Sequence, residues 1–574
     1  MNSKLTTLIQ QGMALHQKGK FEGAKVIYEQ VLKIQPNNFD GLYLLGLLLA
    51  QNNQWIKAAD FLSKALQVNP DHGVCHSNLG NVLKAMGCIE EALEHYNQAI
   101  SINPNYAEGH YNLSVTLQGL GRVEEALEHY NQAISLNPNY IEAYSNRGNV
   151  LQALGRKEEA LVSYDQAIGL KPDYPEFYSN KANVLQALGR MEEALLSYDL
   201  AISIKPDYAE AFSNRGIALQ EVKRLEEAFV SYDHAIRIKP DYAEAHWNLA
   251  LCNLLAGNFN DGLQGYEWRW KNEKIHKPNE VRKFSEPLWL GAESIKDKTI
   301  LLYAEQGLGD TIQFCRYVSL VAELGAKVVL EVQPPLARLF KSFEGVSQIV
   351  IQGEPPPAFD YRCPLMSLPL AFNTQIDSIP NKIPYIQPPL AKIERWKIKL
   401  GAKEGLRVGL VWSGGFRPNQ SELWGVNKRR NIPLEKISKI NLSSINFYSL
   451  QKGEPAESEL LESCNKHWKK GNFYNFTGEL NDFSDTAALI ANLDLIISVD
   501  TSTAHLAAAM GKPVWLLNRF DTCWRWMLNR NDSPWYPSVR VYRQEKWGDW
   551  DEVLERVNAD LLLIKNSQQH DFSS

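Results

Sequence analysis

A proline returns every 34 residues through the first half of the chain. The series is Pro36, Pro70, Pro104, Pro138, Pro172, Pro206 and Pro240. Each of six intervals carries an alanine and, four residues later, a tyrosine or (once) Leu62, while small residues recur earlier in the unit. Residues four apart share a helix face, so this pattern predicts two closely packed helices per unit, the second ended by the proline. One such pair cannot bury its apolar face alone, and the units must therefore stack into a solenoid.

In period and in residue types the unit resembles the tetratricopeptide repeat. The resemblance covers about residues 5–272, as seven full units and a partial eighth. It implies an all-α superhelix, to which we assign residues 1–272.

An asparagine stands two positions before the small residue in six of the units. These are Asn78, Asn112, Asn146, Asn180, Asn214 and Asn248. Two helical residues turn by about 200°, so the amides point away from the packed face. An amide both donates to and accepts from any peptide bond, which predicts a groove for an extended polypeptide. Alternatively, the asparagines only solvate this face or bond within the repeats. A similar ladder in the O-linked N-acetylglucosamine transferases favours peptide binding.

The pattern changes after about residue 272. Short apolar runs at 299–305, 327–332, 348–351, 406–412, 445–450, 493–499 and 513–517 alternate with helical stretches. Such runs are typical of buried parallel strands, and their alternation predicts an α/β region of two Rossmann-like halves. We place a connector at 273–298, one half at 299–385 and the other, with a C-terminal helix, at 386–574. The proline-rich stretch 379–390 is the predicted linker between the halves.

Composition narrows the classes of function. The net charge of −6 argues against a general nucleic-acid binder, and no uncharged apolar run is long enough to span a membrane. The N-terminus lacks the apolar core of a signal peptide, so we expect a cytoplasmic protein. Seven scattered cysteines without a C-x-x-C pair predict neither a zinc site nor a disulfide framework.

The first motif of the α/β region is a glycine turn that directly follows its first strand. Gly307 and Gly309 would let the backbone approach a ligand at the carboxyl end of that strand. Asp310 follows them. From its position alone, a helix cap and a catalytic carboxylate are equally good interpretations.

The second motif joins a strand, a glycine turn and a basic segment. It runs GLVWSGG at 409–415, with Ser413 and Gly414, and NKRRNIPL at 427–434, with Lys428 and Arg430. Lysine and arginine there would hold a diphosphate, although a solvated loop explains an isolated run of charge as well.

The third motif places hydroxyl residues between a strand and a helix. Asp500 ends the strand, and Thr501, Ser502 and Thr503 begin the helix. Free backbone N–H groups at such a helix start form an anion site. His505 lies one turn further on, where either a structural or a ligand-binding role fits.

Together and in this order, the three motifs resemble the heptosyltransferase-like glycosyltransferases, inverting enzymes with the GT-B fold, over about residues 299–545. The resemblance implies that Asp310 is the catalytic base, that Lys428 faces the donor phosphates and that Asp500 lies near the donor sugar. It also assigns Thr501 to Thr503 to the phosphate-binding helix start. Repeats fused to such a domain resemble bacterial counterparts of O-linked N-acetylglucosamine transferase.

The predicted function is an inverting, metal-independent transfer of sugar from a nucleotide-sugar to a protein held by the repeats. The nucleotide-sugar is a substrate, and no cofactor is expected. The single D-x-D string, residues 549–551, is better explained as charge at a helix start than as a metal site. Two alternatives stay open: a non-catalytic scaffold with a degenerate transferase domain, and transfer to a glycan or lipid-linked acceptor.

Overall fold

The structure is a computed structural model that describes residues 2–276, 282–403, 405–415, 424–440, 442, 445–468 and 472–571. Its contacts divide the chain into two compact units, Met1–Ala211 and Phe212–Ser574. In the described residues, no helix combines the length and the apolar character needed to cross a membrane.

The first unit consists of helical hairpins that repeat with the sequence period. Its helices are α1 (Asn2–Gln17), α2 (Phe21–Ile34), α3 (Phe39–Gln51), α4 (Trp55–Val68), α5 (Gly73–Ala85), α6 (Ile89–Ile102), α7 (Ala107–Gly119), α8 (Val123–Leu136), α9 (Ile141–Ala153), α10 (Lys157–Leu170), α11 (Pro175–Ala187) and α12 (Met191–Ile204). The predicted helix pair per repeat is confirmed, and each second helix ends two residues before the repeating proline.

Close packing inside each hairpin explains the recurring small residue. A Cβ atom built on Gly80 would lie 2.7 Å from the ring of Tyr96, which is fully buried. A larger residue would therefore push the two helices apart. Ala92, four residues before Tyr96, is also fully buried in the same layer. The sequence pattern thus reports the contact between the two helices of one repeat.

The second unit begins with the last repeat helices. Helix α13 (Ala209–Glu221) crosses the division between the units, and three helices follow it: α14 (Leu225–Ile238), α15 (Ala243–Ala256) and α16 (Phe259–Tyr266). A short 3₁₀ helix, Glu267–Lys271, ends the repeat region.

Two parallel sheets form the rest of the second unit. The strands are β1 (Thr299–Tyr303), β2 (Lys327–Val332), β3 (Val346–Ile351), β4 (Tyr361–Pro364), β5 (Leu406–Val411), β6 (Ile445–Ser449), β7 (Asn472–Asn475), β8 (Leu495–Val499), β9 (Val514–Asn518) and β10 (Val539–Arg543). The first sheet has the order β3-β2-β1-β4 and the second β10-β9-β8-β5-β6-β7. All strand pairs named in these sheets are parallel, which confirms the predicted GT-B arrangement of two Rossmann-like halves.

Helices connect the strands of both halves, and a last helix follows β10. They are α17 (Leu308–Phe314), α18 (Val318–Glu323), α19 (Leu368–Ala371), α20 (Leu390–Leu400), α21 (Trp424–Arg430), α22 (Leu434–Ile437), α23 (Ala456–His467), α24 (Phe483–Ala491), α25 (Ser502–Ala509) and α26 (Trp550–Asp571). The basic segment expected as a loop after the second motif is helical and forms α21.

The last repeat helices share a core with the first sheet. Leu254, Phe259 and Tyr266 belong to the same buried cluster as Ile300 and Leu302 of β1. Burial of such side chains contributes roughly 1.5–3 kcal/mol each, so this seam is a large part of the unit's stability. The predicted bounds 1–272, 273–298, 299–385 and 386–574 follow the sequence pattern and stay predictions, whereas the compact unit already begins at Phe212.

Candidate active site

A cavity of about 500 Å³ lies at the carboxyl ends of the strands of both halves. With the exception of Lys428, all the predicted catalytic and donor-binding residues line it: Gly307, Gly309, Asp310, Ser413, Gly414, Arg430, Asp500, Thr501, Ser502, Thr503 and His505. This position agrees with the general rule that open α/β sheets bind ligands outside the carboxyl ends of their strands.

The two halves touch directly at this cavity. A Cβ atom on Gly309 would lie 3.1 Å from Cδ2 of His505 and 3.4 Å from Cα of Ser502. Glycine at 309 therefore allows the turn after β1 to approach the start of α25. The first and third motifs, almost two hundred residues apart in sequence, form one wall of the site.

Asp310 has two partners, one for each carboxylate oxygen. Oδ2 accepts a hydrogen bond from the backbone N–H of Gly307 at 2.9 Å, which caps helix α17. Oδ1 accepts a hydrogen bond from the guanidinium of Arg525. Asp310 is nevertheless not the N-cap considered as an alternative, because it lies in the first turn of α17 behind the N-cap Gly307. Its bond to Gly307 does not exclude a catalytic role, since a carboxylate offers about four acceptor positions.

Arg525 is a functional candidate that sequence reasoning missed. It belongs to the short 3₁₀ helix Trp524–Trp526, and its side chain is 11% exposed. Burial opposes its charge, but Asp310, Cys523 and Tyr266 together raise the pKa of the guanidinium above its ordinary value. Nothing around Arg525 in the sequence resembles a ligand-binding motif, so no local signal distinguishes it from a structural arginine between tryptophans.

Arg430 is the cation of the second motif that lines the cavity. A Cβ on Gly414 would lie 1.9 Å from Nη2 of Arg430, so only glycine leaves room for the guanidinium. Nη1 donates to the backbone carbonyl of Asp500 at 2.9 Å, and Nη2 donates to Oδ1 of Asn427 at 2.6 Å. These contacts fix a positive charge beside the start of α25.

Lys428 lies elsewhere. It is exposed on α21 and is not among the residues that line the cavity. Lys428 and Arg430 are two residues apart on a helix, so they point to different sides. Its predicted role at the donor phosphates stays a prediction, and Arg430 has the better position.

The turn after β5 is held by Gln451, a second residue that the motifs did not reveal. Its Oε1 accepts hydrogen bonds from the backbone N–H groups of Trp412 and Ser413 at 3.1 and 3.0 Å. Its Nε2 donates to the carbonyl of Ser413 at 3.0 Å. Gln451 thereby fixes the backbone that leads to Gly414.

The start of α25 presents backbone N–H groups to the cavity. Thr501 is its N-cap and accepts from the N–H of Ala504, while Ser502 and Thr503 occupy the first turn. Burial opposes ionisation of Asp500, but His505 and Arg430 outweigh it, so the pKa of this carboxyl lies below its ordinary value. Amide N–H groups together with Arg430 can hold an anionic group at this place.

His505 is buried between the halves. Burial lowers the pKa of its imidazole from 6.5 to about 4, so the ring is neutral at pH 7. Nδ1 lies 3.0 Å from the hydroxyl of Tyr536, and Nε2 lies 3.8 Å from Oδ1 of Asp500. The ring also stacks on Trp526 at 5.1 Å. Both the structural and the ligand-lining interpretation fit this geometry.

Three asparagines of the predicted peptide ladder bond to the preceding repeat. Nδ2 of Asn78 donates to Tyr43, that of Asn112 to Ser77 and that of Asn146 to Tyr111, at 2.9, 3.2 and 3.2 Å. These contacts support the alternative in which the amides bond within the array.

The later members of the ladder differ. Asn180 and Asn214 are half-buried. Within the described residues, the buried Nδ2 of Asn248 has no hydrogen-bond partner. Asn248 lines a separate cavity of about 290 Å³, together with Tyr232 and Trp524.

In the part of the chain that the structure describes, no group of three or more His, Cys, Asp or Glu side chains is arranged to hold an ion. The carboxylate of Asp551, from the D-x-D string, pairs with Lys436 and Lys439 at 2.7 and 2.6 Å. Metal independence itself stays a prediction.

Comparison with known families supports both parts of this description. The TPR repeat model matches residues 12–53, 80–121, 119–155, 153–189, 183–223 and 221–257. The model of glycosyltransferase family 9 (heptosyltransferase) matches residues 445–519, which contain the third motif. Both resemblances expected from the sequence are confirmed.

Among curated proteins, Protein FlbA of Caulobacter vibrioides is 27% identical over 337 residues. The match covers 54% of this chain and 53% of that protein, so the chain spans about half the length of this relative.

Three solved structures resemble part of the chain. YrrB, described as a TPR protein with an unusual peptide-binding site, is 24% identical with a TM-score of 0.30 and covers 33% of this chain and 96% of its own. MamA is 27% identical with a TM-score of 0.28, over 30% and 94%. PilF of Pseudomonas aeruginosa is 22% identical with a TM-score of 0.33, over 36% and 94%. The family matches show that the chain carries tetratricopeptide repeats followed by a glycosyltransferase family 9 (heptosyltransferase) domain.

Proposed function

We propose that the protein is an inverting glycosyltransferase that moves a sugar from a nucleotide-sugar to a polypeptide held by its repeats. The observation that carries this proposal is the convergence of Asp310, from the first half, with Arg430 and the start of α25, from the second, on one cavity. A base and an anion site facing each other are the two groups that inverting transfer needs.

In this proposal, the donor diphosphate lies against Arg430 and the N–H groups of Ser502 and Thr503. Arg430 supplies a fixed charge, and the helix start supplies donors, as negative charge develops on the departing nucleotide. Because these groups provide the stabilisation themselves, we propose that no divalent metal is needed. A chelator should then leave donor affinity unchanged, and a collapse of affinity would contradict the proposal.

Asp310 takes the proton from the acceptor hydroxyl. Its Oδ1 accepts from Arg525 and keeps a further lone pair for the hydroxyl. Arg525 is a positioning residue because it holds the carboxylate at the cavity while the cap to Gly307 fixes the other oxygen.

A polypeptide acceptor is supported by the cavity beside the last repeats. This cavity of about 290 Å³ is lined by Asn248 and Tyr232, and it shares Cys523 with the donor cavity. The unpartnered Nδ2 of Asn248 is a donor for a peptide carbonyl. Cys523 would then contact both the acceptor in this cavity and the donor in the other.

A second acceptor class is favoured by a different observation. Another cavity, of about 510 Å³, lies at the carboxyl edge of the first sheet and is lined by Trp270, Tyr303 and Glu331. Aromatic faces combined with carboxylates suit a glycan acceptor. Substitutions of residues that line the cavity of Asn248 should weaken binding of a peptide acceptor, and substitutions of residues that line the cavity of Trp270 should weaken binding of a glycan acceptor.

The decisive experiment supplies the purified full chain with a panel of nucleotide-sugars. Thermal unfolding and nucleotide release are measured for each, with the Gly414→Ala variant, which displaces Arg430, as matched control. A true donor should stabilise the wild type more than this variant and should release nucleotide when an acceptor is present. If no donor stabilises the protein or is turned over, the scaffold interpretation replaces the enzyme. Asn248→Ala and Trp270→Ala then separate the peptide acceptor from the glycan acceptor.

A further inference from the structure

Two consecutive repeats of the first unit each contain a pair of histidines in direct contact. Nδ1 of His76 lies 2.8 Å from Nδ1 of His95, and Nδ1 of His110 lies 3.0 Å from Nδ1 of His129. In both pairs, one ring comes from the first helix of the repeat and the other from the second, nineteen residues later. The same geometry thus occurs twice, one repeat apart.

A backbone carbonyl fixes the tautomer of the first ring in each pair. Nε2 of His76 lies 3.0 Å from the carbonyl oxygen of Pro70, and Nε2 of His110 lies 3.2 Å from that of Pro104. A carbonyl only accepts, so Nε2 carries the hydrogen, and the lone pair of Nδ1 points at the partner ring. A histidine oriented by a backbone carbonyl in this way is the usual arrangement of a metal-binding imidazole.

The distance between the rings also suits a shared ion. Two nitrogens bound to a tetrahedral Zn²⁺ at about 2.0–2.1 Å are about 3.3 Å apart, so each Nδ1–Nδ1 distance needs to open by only a few tenths of an ångström. The two rings of each pair, whose centroids lie 5.1 and 5.3 Å apart, must also turn so that both lone pairs point at the ion. The bound form also needs the transfer of one ring proton of His95 or His129 from Nδ1 to Nε2.

Carboxylates near the second ring favour a cation. Glu94 and Glu91 lie close enough to His95 to favour its charged form, and Glu128 does the same for His129, whereas Glu125 near His129 is already paired with Arg122. Electrostatic attraction from this side raises the local concentration of a divalent ion.

Other repeats show that these pairs are not required by the repeat fold. At the position of His95 and His129 the later units have Ser163, Ser197, Ser231 and Gly265. Tyr178 replaces the first histidine in one of them and donates to the equivalent carbonyl, that of Pro172, at 3.0 Å. His246 keeps the carbonyl bond, to Pro240, but faces no second histidine at that position.

We propose that His76 with His95, and His110 with His129, form two binding sites for a divalent transition-metal ion of the Zn²⁺ class, each completed by water. Imidazole nitrogen is a ligand that such ions prefer. The sites lie in the repeat array and are independent of the proposed transferase chemistry.

The test is a calorimetric titration of the untagged full chain with Zn²⁺ at pH 7.5. The wild type should bind two ions per chain, and His95→Ser and His129→Ser should each remove one. Serine is the residue that later repeats carry at this position, so these variants are expected to fold. Loss of a ligand should weaken a site by at least the roughly 10–100-fold that loss of an outer partner costs. His246→Ser is the matched control and should leave both sites intact.

A second readout is thermal unfolding of the repeats with and without Zn²⁺. An ion that binds only the folded state raises the melting temperature of the wild type, but not that of the double serine variant. His76→Tyr, which reproduces Tyr178, tests the first site independently of His95. The proposal is overturned if the wild type shows no saturable binding beyond the double variant, or if the serine and tyrosine variants bind as the wild type does.

Discussion

One ion pair from each compact unit illustrates a difference in burial and in the distance spanned along the chain. In the first unit, Arg122 pairs with Glu125 three residues away, and both side chains are about half exposed, 46% and 52%. In the second unit, Arg269 pairs with Glu305, and both are buried, 0% and 3% exposed. Exposed pairs of the first kind add little stability, whereas a buried pair becomes costly once one partner is missing.

Hydrogen bonds between side chains show the same contrast. Tyr96 bonds to Asn81 and Tyr164 to Asn149, in both cases fifteen residues apart. In the second unit Arg525 reaches Asp310 across 215 residues. Contacts in the array follow the repeat period, while contacts at the site join segments that only the tertiary fold brings together. Substitutions in the second unit should therefore have the larger effects.

The largest expected effect concerns Asp310. Asp310→Asn keeps an acceptor for the N–H of Gly307 but cannot take up a proton. A positioned base contributes about 10²–10⁴-fold to a rate, so turnover should fall by that factor while donor affinity changes little. The measurement is the transfer rate beside donor binding and thermal unfolding. A folded, donor-binding variant with the turnover of the wild type would remove Asp310 from the catalytic residues and leave it as a cap and partner of Arg525.

Removal of the Arg269 charge should destabilise the second unit. Arg269→Met leaves Glu305 buried without its partner, and the expected loss is about 3–5 kcal/mol in the free energy of unfolding. The matched variant Arg122→Met removes an exposed charge from the array and should give no measurable change. If both variants lower the free energy of unfolding equally, the buried pair of the second unit is no more important for stability than the exposed pair of the first.

This prediction also has a pH dependence. Burial raises the pKa of Glu305 to about 7 against the lowering effect of Arg269, and loss of Arg269 raises this pKa further. The folded Arg269→Met variant then holds a proton that the unfolded chain releases near pH 4.5. The stability of both proteins should therefore fall as the pH rises above about 4.5, but the fall should end near pH 7 in the wild type and continue above that pH in the variant. A pH-independent difference from the wild type would contradict the assignment.

His505 gives the opposite dependence on pH. Its pKa is lowered by burial from 6.5 to about 4, so the unfolded chain binds a proton between these values that the folded protein does not. Stability should thus be fully present above pH 6.5 and decline as the pH falls towards 4, by about 3 kcal/mol for this group. In His505→Gln this part of the decline should disappear. The measurement is denaturant unfolding of both proteins across that pH range. If the free energy of unfolding falls equally with pH in the wild type and in His505→Gln, the prediction is wrong.

The sequence predicts contacts that recur with the repeat better than contacts that join distant segments of the chain. The repeats were predictable because a contact such as that of Gly80 with Tyr96 recurs every 34 residues. Eleven of the twelve residues proposed for catalysis and donor binding line the cavity, because the three motifs begin at the carboxyl ends of strands that meet there. Arg525 and Gln451 were missed since their partners are distant in sequence. Lys428 illustrates the limit of motif reasoning, because the helical form of the basic segment points it away from the cavity.

Strands were predictable where they are buried on both faces. All five residues of β8 are buried, and the run was recognised. β4, β7 and β10 were not: each lies at an edge of its sheet, where polar residues such as Arg362, Asn472 and Arg540 interrupt the apolar run, although the edge strand β3 was recognised. Edge position weakens the hydrophobic signal that identifies a strand.

The same glycine substitution should act on stability in one unit and on binding in the other. Gly80→Ala drives a methyl group against the buried ring of Tyr96 and should cost about 1–3 kcal/mol of stability. Gly414→Ala meets the end of the flexible Arg430 side chain, which can move aside. Donor affinity should then fall by about 10–100-fold, as for loss of a hydrogen bond to a charged group, with little change in unfolding. The opposite pattern would refute the assignment of Arg430 to the donor.

The smallest expected effect compares one residue type in both units. Asn146→Ala removes the hydrogen bond to Tyr111, 3.2 Å long, and should lower the stability of the array by about 0.5–1.5 kcal/mol. Asn248→Ala removes an Nδ2 that has no partner among the described residues, so no such bond is lost. Its stability should be unchanged or slightly higher, because a buried donor without a partner carries a desolvation cost.

For affinity towards a polypeptide acceptor, we expect the larger effect from Asn248. If its Nδ2 binds a peptide carbonyl, Asn248→Ala weakens acceptor binding while donor binding stays intact. The measurement pairs thermal unfolding with affinity for a polypeptide acceptor, in the two single variants and in a triple variant with Asn146, Asn180 and Asn214 replaced by alanine. If the triple variant binds the acceptor as the wild type does and Asn248→Ala does not, the peptide site is confined to Asn248 among these four and the three other amides belong to the architecture of the repeats. If none of the variants changes binding, the asparagines serve the repeats alone, and the acceptor must be sought at the cavity of Trp270.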